Sequence, residues 1–233
     1  MREKQDIKVL AIIPAFNEED NIVSTVEDIR KNSPYVDFIV IDDGSTDKTR
    51  QIFLENGYPI ITLPVNLGLA GGFQTGMRYA MNNGYDYAIQ FDADGQHSAE
   101  YIDSLIDKAE RENVDIVIGS RFQDQKKPKS LRMFGSNLIS GIIRMTTGKK
   151  IQDPTSGMRL YSKHLIPIFA DNFDLSPEPD SLALLLNRGH SIEEVQVEMR
   201  DRVAGESYIN ITKSMKYMMN VCLSILFFQW FRR

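Results

Sequence analysis

Apolar and polar positions along the chain alternate between two periods. Short, largely apolar runs at residues 8–13, 38–41, 59–63, 87–91 and 115–119 read as strands. Between them lie longer stretches with apolar residues three and four apart. Residues 18–31 carry Ile22, Val26 and Ile29 at that spacing, and 46–55 and 70–82 follow as helices. Asn83-Gly84 gives the third helix a stop, and Ser98 caps a fourth that runs to about residue 111. This β-α-β alternation predicts an α/β, Rossmann-like, mostly parallel sheet with helices on both faces.

The pattern loosens after residue 120. Residues 123–129 form a charged loop, and 130–147 read as a helix that is both basic and apolar. Residues 158–161 and 192–197 add two possible strands, with a helix near 180–187 between them. Neither an internal repeat nor a low-complexity linker is present, so residues 1–210 read as one domain and 211–233 as a C-terminal appendage. In that appendage, 12 of the 15 residues at 217–231 are apolar, and Arg232-Arg233 follows. A helix of that length rises roughly 22 Å, against a hydrocarbon core of about 30 Å. It is short for a span. Tyr217, Trp230, Arg232 and Arg233 suit a head-group boundary and Phe227-Phe228 the acyl edge, so a membrane-interface or partner helix is expected ahead of a plain core helix.

Composition adds exclusions. The 233 residues carry a formal net charge of −5 and one cysteine, Cys222, which excludes an internal disulfide framework and a cysteine-based zinc cluster. The acidic balance argues against a general nucleic-acid partner. The first residues show no secretory pattern, because Pro14 stops the apolar run at Ile7–Ile13. The charge is unevenly spread. Residues 1–120 carry 10 basic and 21 acidic side chains, net −11, whereas residues 121–150 carry 8 basic and 1 acidic, net +7. Such asymmetry points to an anionic partner.

Candidate chemistry gathers at strand ends, where parallel α/β sheets bind ligands. Four ends carry polar clusters: Pro14-Ala15-Phe16-Asn17-Glu18, Asp42-Asp43-Gly44-Ser45-Thr46-Asp47, Asp92-Ala93-Asp94-Gly95-Gln96-His97 and Gly119-Ser120-Arg121-Phe122. Any one of them could be a turn or a helix cap. All four at one rim place more carboxylates there than turns require. Asp92 and Asp94, one residue apart, would repel each other unless a divalent cation relieved them. Mg²⁺ or Mn²⁺ is usually held by one or two carboxylates plus substrate phosphates, and Gln96 could add an oxygen. His97 reads as a rim residue, and His164 and His190 as structural.

These segments, with Asn66-Leu67-Gly68, Gly71-Gly72 and Asp153-Pro154-Thr155-Ser156-Gly157-Met158-Arg159, run in an order that resembles the family 2 glycosyltransferases of the GT-A fold. The resemblance is greatest to the polyprenyl-phosphate branch that includes dolichyl-phosphate mannose synthase, and it covers roughly residues 7–208. It implies that Pro14, Ala15, Asn17, Glu18, Asp43 and Gly68 help to bind a UDP- or GDP-linked sugar. Asp92, Ala93 and Asp94 match the Asp-X-Asp metal and donor site, with Gln96 its helper. Glu198–Arg202, Gly205 and Ser207 resemble the segment that closes over the diphosphate, with Arg202 in that role and Arg200 competing for it. Arg121 and Arg132 match the arginines that clamp the acceptor phosphate, as guanidinium forks can. Lys126, Lys127, Lys129, Lys149 and Lys150 read as a solvated or lipid-facing skirt.

The resemblance therefore implies an inverting, Mg²⁺- or Mn²⁺-dependent transferase that moves a sugar to a polyprenyl phosphate such as undecaprenyl phosphate. It would sit on the cytoplasmic face of the cell membrane as a peripheral enzyme, docked on lipid, on a small membrane protein or as a homo-oligomer. Asp153 is a candidate for positioning or base work, and Glu178 is a second. Two alternatives stand beside this reading. One is a hydroxyl acceptor with Asp153 as base; the other is a non-catalytic nucleotide-sugar-binding scaffold.

Overall fold

The computed structural model describes residues 6–125, 127, 131–200 and 211–227, with the side chains of 131, 132 and 211–215 outside that description. Seven strands form one sheet: β1 (Val9–Ala15), β2 (Asp37–Asp42), β3 (Ile60–Thr62), β4 (Tyr87–Gln90), β5 (Ile116–Ser120), β6 (Arg159–Ser162) and β7 (Ile192–Gln196). Their order is β3-β2-β1-β4-β6-β5-β7. Six strands are parallel, and β6 runs against both neighbours, β4 and β5. The short apolar run at 158–161 carries no directional signal, so its antiparallel insertion was not legible in the sequence.

The central strands are buried on both faces, as parallel strands under helices must be. One face is covered by α1 (Ile22–Asn32), α2 (Thr49–Asn56) and α4 (Ile102–Glu112), through Ile22, Val26, Ile29, Phe53, Leu105 and Ile106. The other is covered by α3 (Gly68–Asn82), α5 (Leu131–Thr147), α6 (Ile166–Asp171), α7 (Pro179–Asn187) and α8 (Ile211–Phe227). A Cβ on Gly76 would lie 2.2 Å from Ile12 Cγ2, so glycine lets α3 press directly on β1.

Two predicted starts move inward. The first helix begins at Ile22 and the second at Thr49, because residues 18–21 and 46–48 are spent on turns that shape the rim. The segment read as an appendage contributes to the core: α8 buries Val221, Cys222 and Ile225 against α5 and α7. Its other stripe, Met219, Leu223 and Phe227, is exposed, and so are Phe134, Leu138 and Met145 on α5. Among the described residues, no helix is long and apolar enough to cross a membrane.

Candidate active site

The parallel strands deliver their carboxyl ends to one rim, and side chains stitch the loops there together. The Asn17 N–H donates to Ser45 Oγ at 3.1 Å, and Asn17 Oδ1 accepts the Thr46 N–H at 2.9 Å. Asn17 holds φ 56°, a left-handed conformation that asparagine tolerates better than most residues. The Glu18 N–H donates to Thr49 Oγ1, and the Glu18 carboxylate accepts from the Asn21 amide. Asp43 accepts the N–H groups of Leu67 and Gly68 at 2.7 and 2.8 Å, which ties β2 to the start of α3. Pro14 lies under Gly72 of α3, and the Asp43 N–H donates to the Ala15 carbonyl. Pro14, Ala15, Asn17, Glu18, Asp43 and Gly68 thus share one patch of rim. Asn17 and Asp43 also serve as struts.

Asp92, Ala93 and Asp94 follow β4. The Ala93 carbonyl is anchored by Thr25 Oγ1, and Asp94 Oδ1 accepts the Gln96 N–H at 3.1 Å. Asp92 Oδ1 accepts Gln90 Nε2 at 3.0 Å. His97 is not a rim residue. It is 3% exposed and packs edge-on against Phe91; its Nδ1 accepts the Asp92 N–H at 2.9 Å, and its Nε2 lies 3.5 Å from Asp92 Oδ2. It holds Asp92 from behind, and the resulting rigidity is what a metal-binding carboxylate needs.

Among the described residues, no three His, Cys, Asp or Glu side chains converge on a metal position. Two carboxylates completed by substrate phosphate is the usual mode for Mg²⁺ or Mn²⁺, and the space for it is present. Gly157 faces Asp92, and a Cβ there would lie 2.5 Å from Asp92 Oδ2. Asp92 and Asp94 therefore fit a cation shared with a bound diphosphate, and Gln96 meets Asp94 through its backbone N–H.

Because β6 is inserted between β4 and β5, the segment leading into it lies between the Asp92 loop and the Arg121 loop. Ser156 Oγ donates to the Gly119 carbonyl at 2.6 Å, and the Gly119 N–H donates to the Met158 carbonyl at 2.8 Å. Asp153 is fully buried, and Arg121 grips it with Nε to Oδ2 at 2.7 Å and Nη2 to Oδ1 at 2.8 Å. Burial raises the Asp153 pKa, but hydrogen bonds and charge from Arg121 more than offset this, so the net shift is downward. Both carboxylate oxygens are engaged, so of the two roles weighed for Asp153 the geometry suits positioning and not base work.

Lys127 departs from the expected skirt. It is half-buried and donates to Ser136 Oγ at 2.9 Å. Thr155 Oγ1 accepts from Arg121 Nη2 at 3.3 Å, donates to Asp153 Oδ1 at 3.2 Å and lies 3.4 Å from Ser136 Oγ. Burial lowers the Lys127 pKa, a shift that the Asp153 and Glu194 charges oppose. Arg121, Lys127, Ser136 and Thr155 form one donor-rich cradle, whose two cations are set against the buried Asp153 and Glu194 carboxylates.

Farther in, Gln90, Asp92, Arg159, Glu178 and Tyr217 line a cavity of about 160 Å³. Burial pushes the Glu178 carboxyl up, and the Tyr217 hydrogen bond and the Arg159 charge oppose that rise. Tyr217, expected at a head-group boundary, donates its hydroxyl to Glu178 from α8, and Ser224 donates to Asp180 at 2.7 Å. The roles of Gln90, Arg159 and Tyr217 here were missed in the sequence, because they depend on the β6 insertion and on how α8 docks.

Arg200 Nη2 is held by Asp28 at 3.0 Å and Ser98 at 2.8 Å. Arg202, Gly205, Ser207, Lys126, Lys129, Phe228, Trp230, Arg232 and Arg233 lie outside the described residues. Arg132 falls in the first turn of α5, and its side chain is likewise outside them.

Comparison with known proteins agrees with this layout. A UDP-N-acetylglucosamine–dolichyl-phosphate N-acetylglucosaminyltransferase of Methanococcus voltae is 31% identical over 186 residues, covering 71% of this chain and 74% of its own. A polyprenol monophosphomannose synthase of Mycolicibacterium smegmatis is 27% identical over 217 residues, covering 86% of this chain and 80% of its own. The solved glucosyl-3-phosphoglycerate synthase of Mycobacterium tuberculosis superposes with a TM-score of 0.73 at 19% identity over 95% of this chain and 81% of that one. Another of its structures, with a TM-score of 0.70, holds Mn²⁺, UDP and phosphoglyceric acid. The family model for glycosyl transferase family 2 matches residues 10–167, well over half of the sequence. With the rim, the GT-A sheet order and this match in agreement, the chain belongs to glycosyl transferase family 2 and is a glycosyltransferase.

Proposed function

We propose that this chain transfers a sugar, with inversion, from a UDP- or GDP-linked donor to a polyprenyl phosphate at the inner face of the cell membrane. The observation that carries this reading is the Arg121–Lys127–Ser136–Thr155 cradle set beside the Asp92–Asp94 loop. It is a preformed anion site next to a rim suited to a nucleoside diphosphate. The names of the Methanococcus and Mycolicibacterium relatives, a dolichyl-phosphate transferase and a polyprenol monophosphomannose synthase, support it.

The chemistry asks little of a base. A phosphomonoester has a second pKa near 6, so most of it is already a dianion at neutral pH. An acceptor oxygen held by Arg121 attacks the anomeric carbon on the face opposite the diphosphate. The new C–O bond forms as the old one breaks, and its electron pair leaves with the diphosphate. Asp153 holds the Arg121 fork in one orientation, and Glu194 fixes Asp153 in turn by accepting the N–H groups of Gln152 and Asp153. When bound, Mg²⁺ or Mn²⁺ supplies Lewis-acid stabilisation of the leaving diphosphate. On the donor side, Pro14, Ala15, Asn17, Glu18, Asp43 and Gly68 frame the base and ribose.

In this reading α5 and α8 make the membrane contact. Helix α5 brings Ser136 to the phosphate cradle and presents Phe134, Leu138 and Met145 to solvent, beside the exposed stripe of α8. A phosphate head in the cradle leaves its isoprenoid tail to run along this apolar face into lipid. Replacing Leu223 and Phe227 together with serine is expected to weaken sedimentation with anionic phospholipid vesicles at least fivefold, with the melting temperature nearly unchanged. Equal sedimentation would remove α8 from the membrane contact.

The decisive assay offers UDP- and GDP-sugars, with Mg²⁺ or Mn²⁺, to undecaprenyl phosphate and to free saccharides. Transfer to the lipid phosphate is expected. Transfer to saccharide hydroxyls alone would overturn the acceptor assignment.

A further inference from the structure

The inner cavity holds more hydrogen-bonding capacity than the protein uses. Gln90 is 1% exposed, and its Nε2 donates to Asp92 Oδ1. A carboxylate only accepts, so the amide orientation is fixed and the atom left over is the acceptor Oε1, which has no partner among the described residues. Arg159 is 2% exposed and spends Nε and Nη2 on the carbonyls of Ser156 and Pro154. Among the described residues, its Nη1 has no hydrogen-bond partner. The antiparallel register sets Gln90 directly opposite Arg159, so both side chains leave the same face of the sheet, and both line the same cavity. Glu178 meets them from the start of α7, where it makes no side-chain capping bond and accepts the Tyr217 hydroxyl instead.

We infer that this cavity is the pocket that reads the transferred sugar, and that it takes an uncharged, hydroxyl-bearing pyranose held by Gln90 Oε1, Arg159 Nη1 and the Glu178 carboxylate. The inference rests on the donor reading above and deepens it. A sugar hydroxyl donates and accepts at once, so an orphan donor set among acceptors is its natural complement. Glu178 and Asp92 together outweigh the Arg159 charge, which leaves no net positive charge for a sugar carboxylate. Those carboxylates also make the cavity a poor seat for the acceptor phosphate, which the Arg121 cradle suits. Leu69, Pro177 and Pro179 supply apolar walls for the ring. Asp92 belongs both to this cavity and to the diphosphate rim, so a donor anchored at the rim places its sugar here. Tyr217 is a positioning residue: it orients Glu178.

The test is calorimetric titration, with Mn²⁺ present, of UDP, GDP, UDP-glucose, GDP-mannose and UDP-glucuronate into the full chain and its Glu178→Gln and Glu178→Ala variants. Both variants are expected to bind the neutral sugar nucleotide about tenfold more weakly than the unaltered chain. Bare UDP or GDP should bind as before, and Glu178→Gln should bind UDP-glucuronate no more weakly. Unchanged affinity for the neutral sugar nucleotides, or a parallel loss for the bare nucleotide, would overturn the sugar pocket. So would binding of bare nucleotide by the unaltered chain with no binding of either neutral sugar nucleotide. If neither UDP nor GDP binds the unaltered chain, the donor reading itself falls, an outcome distinct from the others.

Discussion

Asp94→Ala is expected to lower sugar transfer by on the order of 10³-fold or more, the scale seen when a preorganised electrostatic contact to a developing charge is removed. The carboxylate sits at the end of β4 in a loop pinned by Thr25 and by the Gln96 N–H. Its removal deletes half of the paired charge that would hold a cation against the diphosphate and the bond to the Gln96 N–H, while Thr25 still anchors the loop at the Ala93 carbonyl. The stability cost should stay near that of one hydrogen bond, about 1 kcal/mol. For a chain of this size that lowers the melting temperature by only about 2–4 °C. Asp94→Asn separates charge from shape, since it keeps an acceptor for Gln96 and loses the anion. Both variants should be inactive with Mg²⁺ and with Mn²⁺, and chelation should silence the unaltered chain to a similar extent. Transfer by Asp94→Ala at even a tenth of the normal rate would remove the metal from the mechanism.

Asp153→Ala carries the largest expected loss of stability. It leaves the Arg121 guanidinium, 19% exposed, without the fully buried carboxylate that pairs with it. Removing one partner of a buried ion pair costs about 3–5 kcal/mol, a drop of roughly 6–20 °C in melting temperature at this chain length. The pH dependence follows from the direction of the shift. The Asp153 pKa is lower in the folded chain than in the unfolded one. Its contribution is therefore fully present above the usual carboxylate range and is lost as the pH falls through the folded value. Asp153→Ala should flatten that acid limb of the stability curve. A melting temperature within 2 °C of normal, with the acid limb intact, would contradict the buried pair. The same variant should lose use of the phosphate acceptor while still binding nucleotide, because the cradle and the donor patch lie on different strands.

The parts of the fold that repeat a local rule were legible in the sequence. Strands β1, β2, β4 and β5 announce themselves as apolar runs, and α4 is plain in Ile102, Leu105, Ile106 and Ala109. The rim was legible for the same reason: Asp92-Ala93-Asp94 follows such a run, and a strand end places it. What stayed hidden depends on pairing between distant segments. Four residues at β6 do not disclose their direction, so the meeting of Arg159 with Gln90 could not be read. His97 looked like one more polar residue at the rim, because nothing local shows a ring folded back under Asp92. Tyr217 was misread because its ring sits in an apolar run that resembles an interfacial belt, whereas its hydroxyl ends in the cleft. Lys127 was counted among its neighbours, and only the return of α5 singles it out.

The insertion of β6 also governs the order in which the enzyme can be made. Strands β4 and β5 are consecutive in the chain yet never touch; β6 must enter between them, and β7 must cover the far side of β5. A ribosome that has released residues through Ser120 has supplied everything for the β3-β2-β1-β4 half, including the nucleotide patch. Strand β5 has no partner until a further 39 residues emerge and β6 starts at Arg159. During that interval the inner edge of β4 and both edges of β5 lie open to mispairing. The donor half can mature first and wait, whereas the acceptor cradle forms as β6 closes the sheet and the inner cavity is completed only when α7 and α8 bring Glu178 and Tyr217.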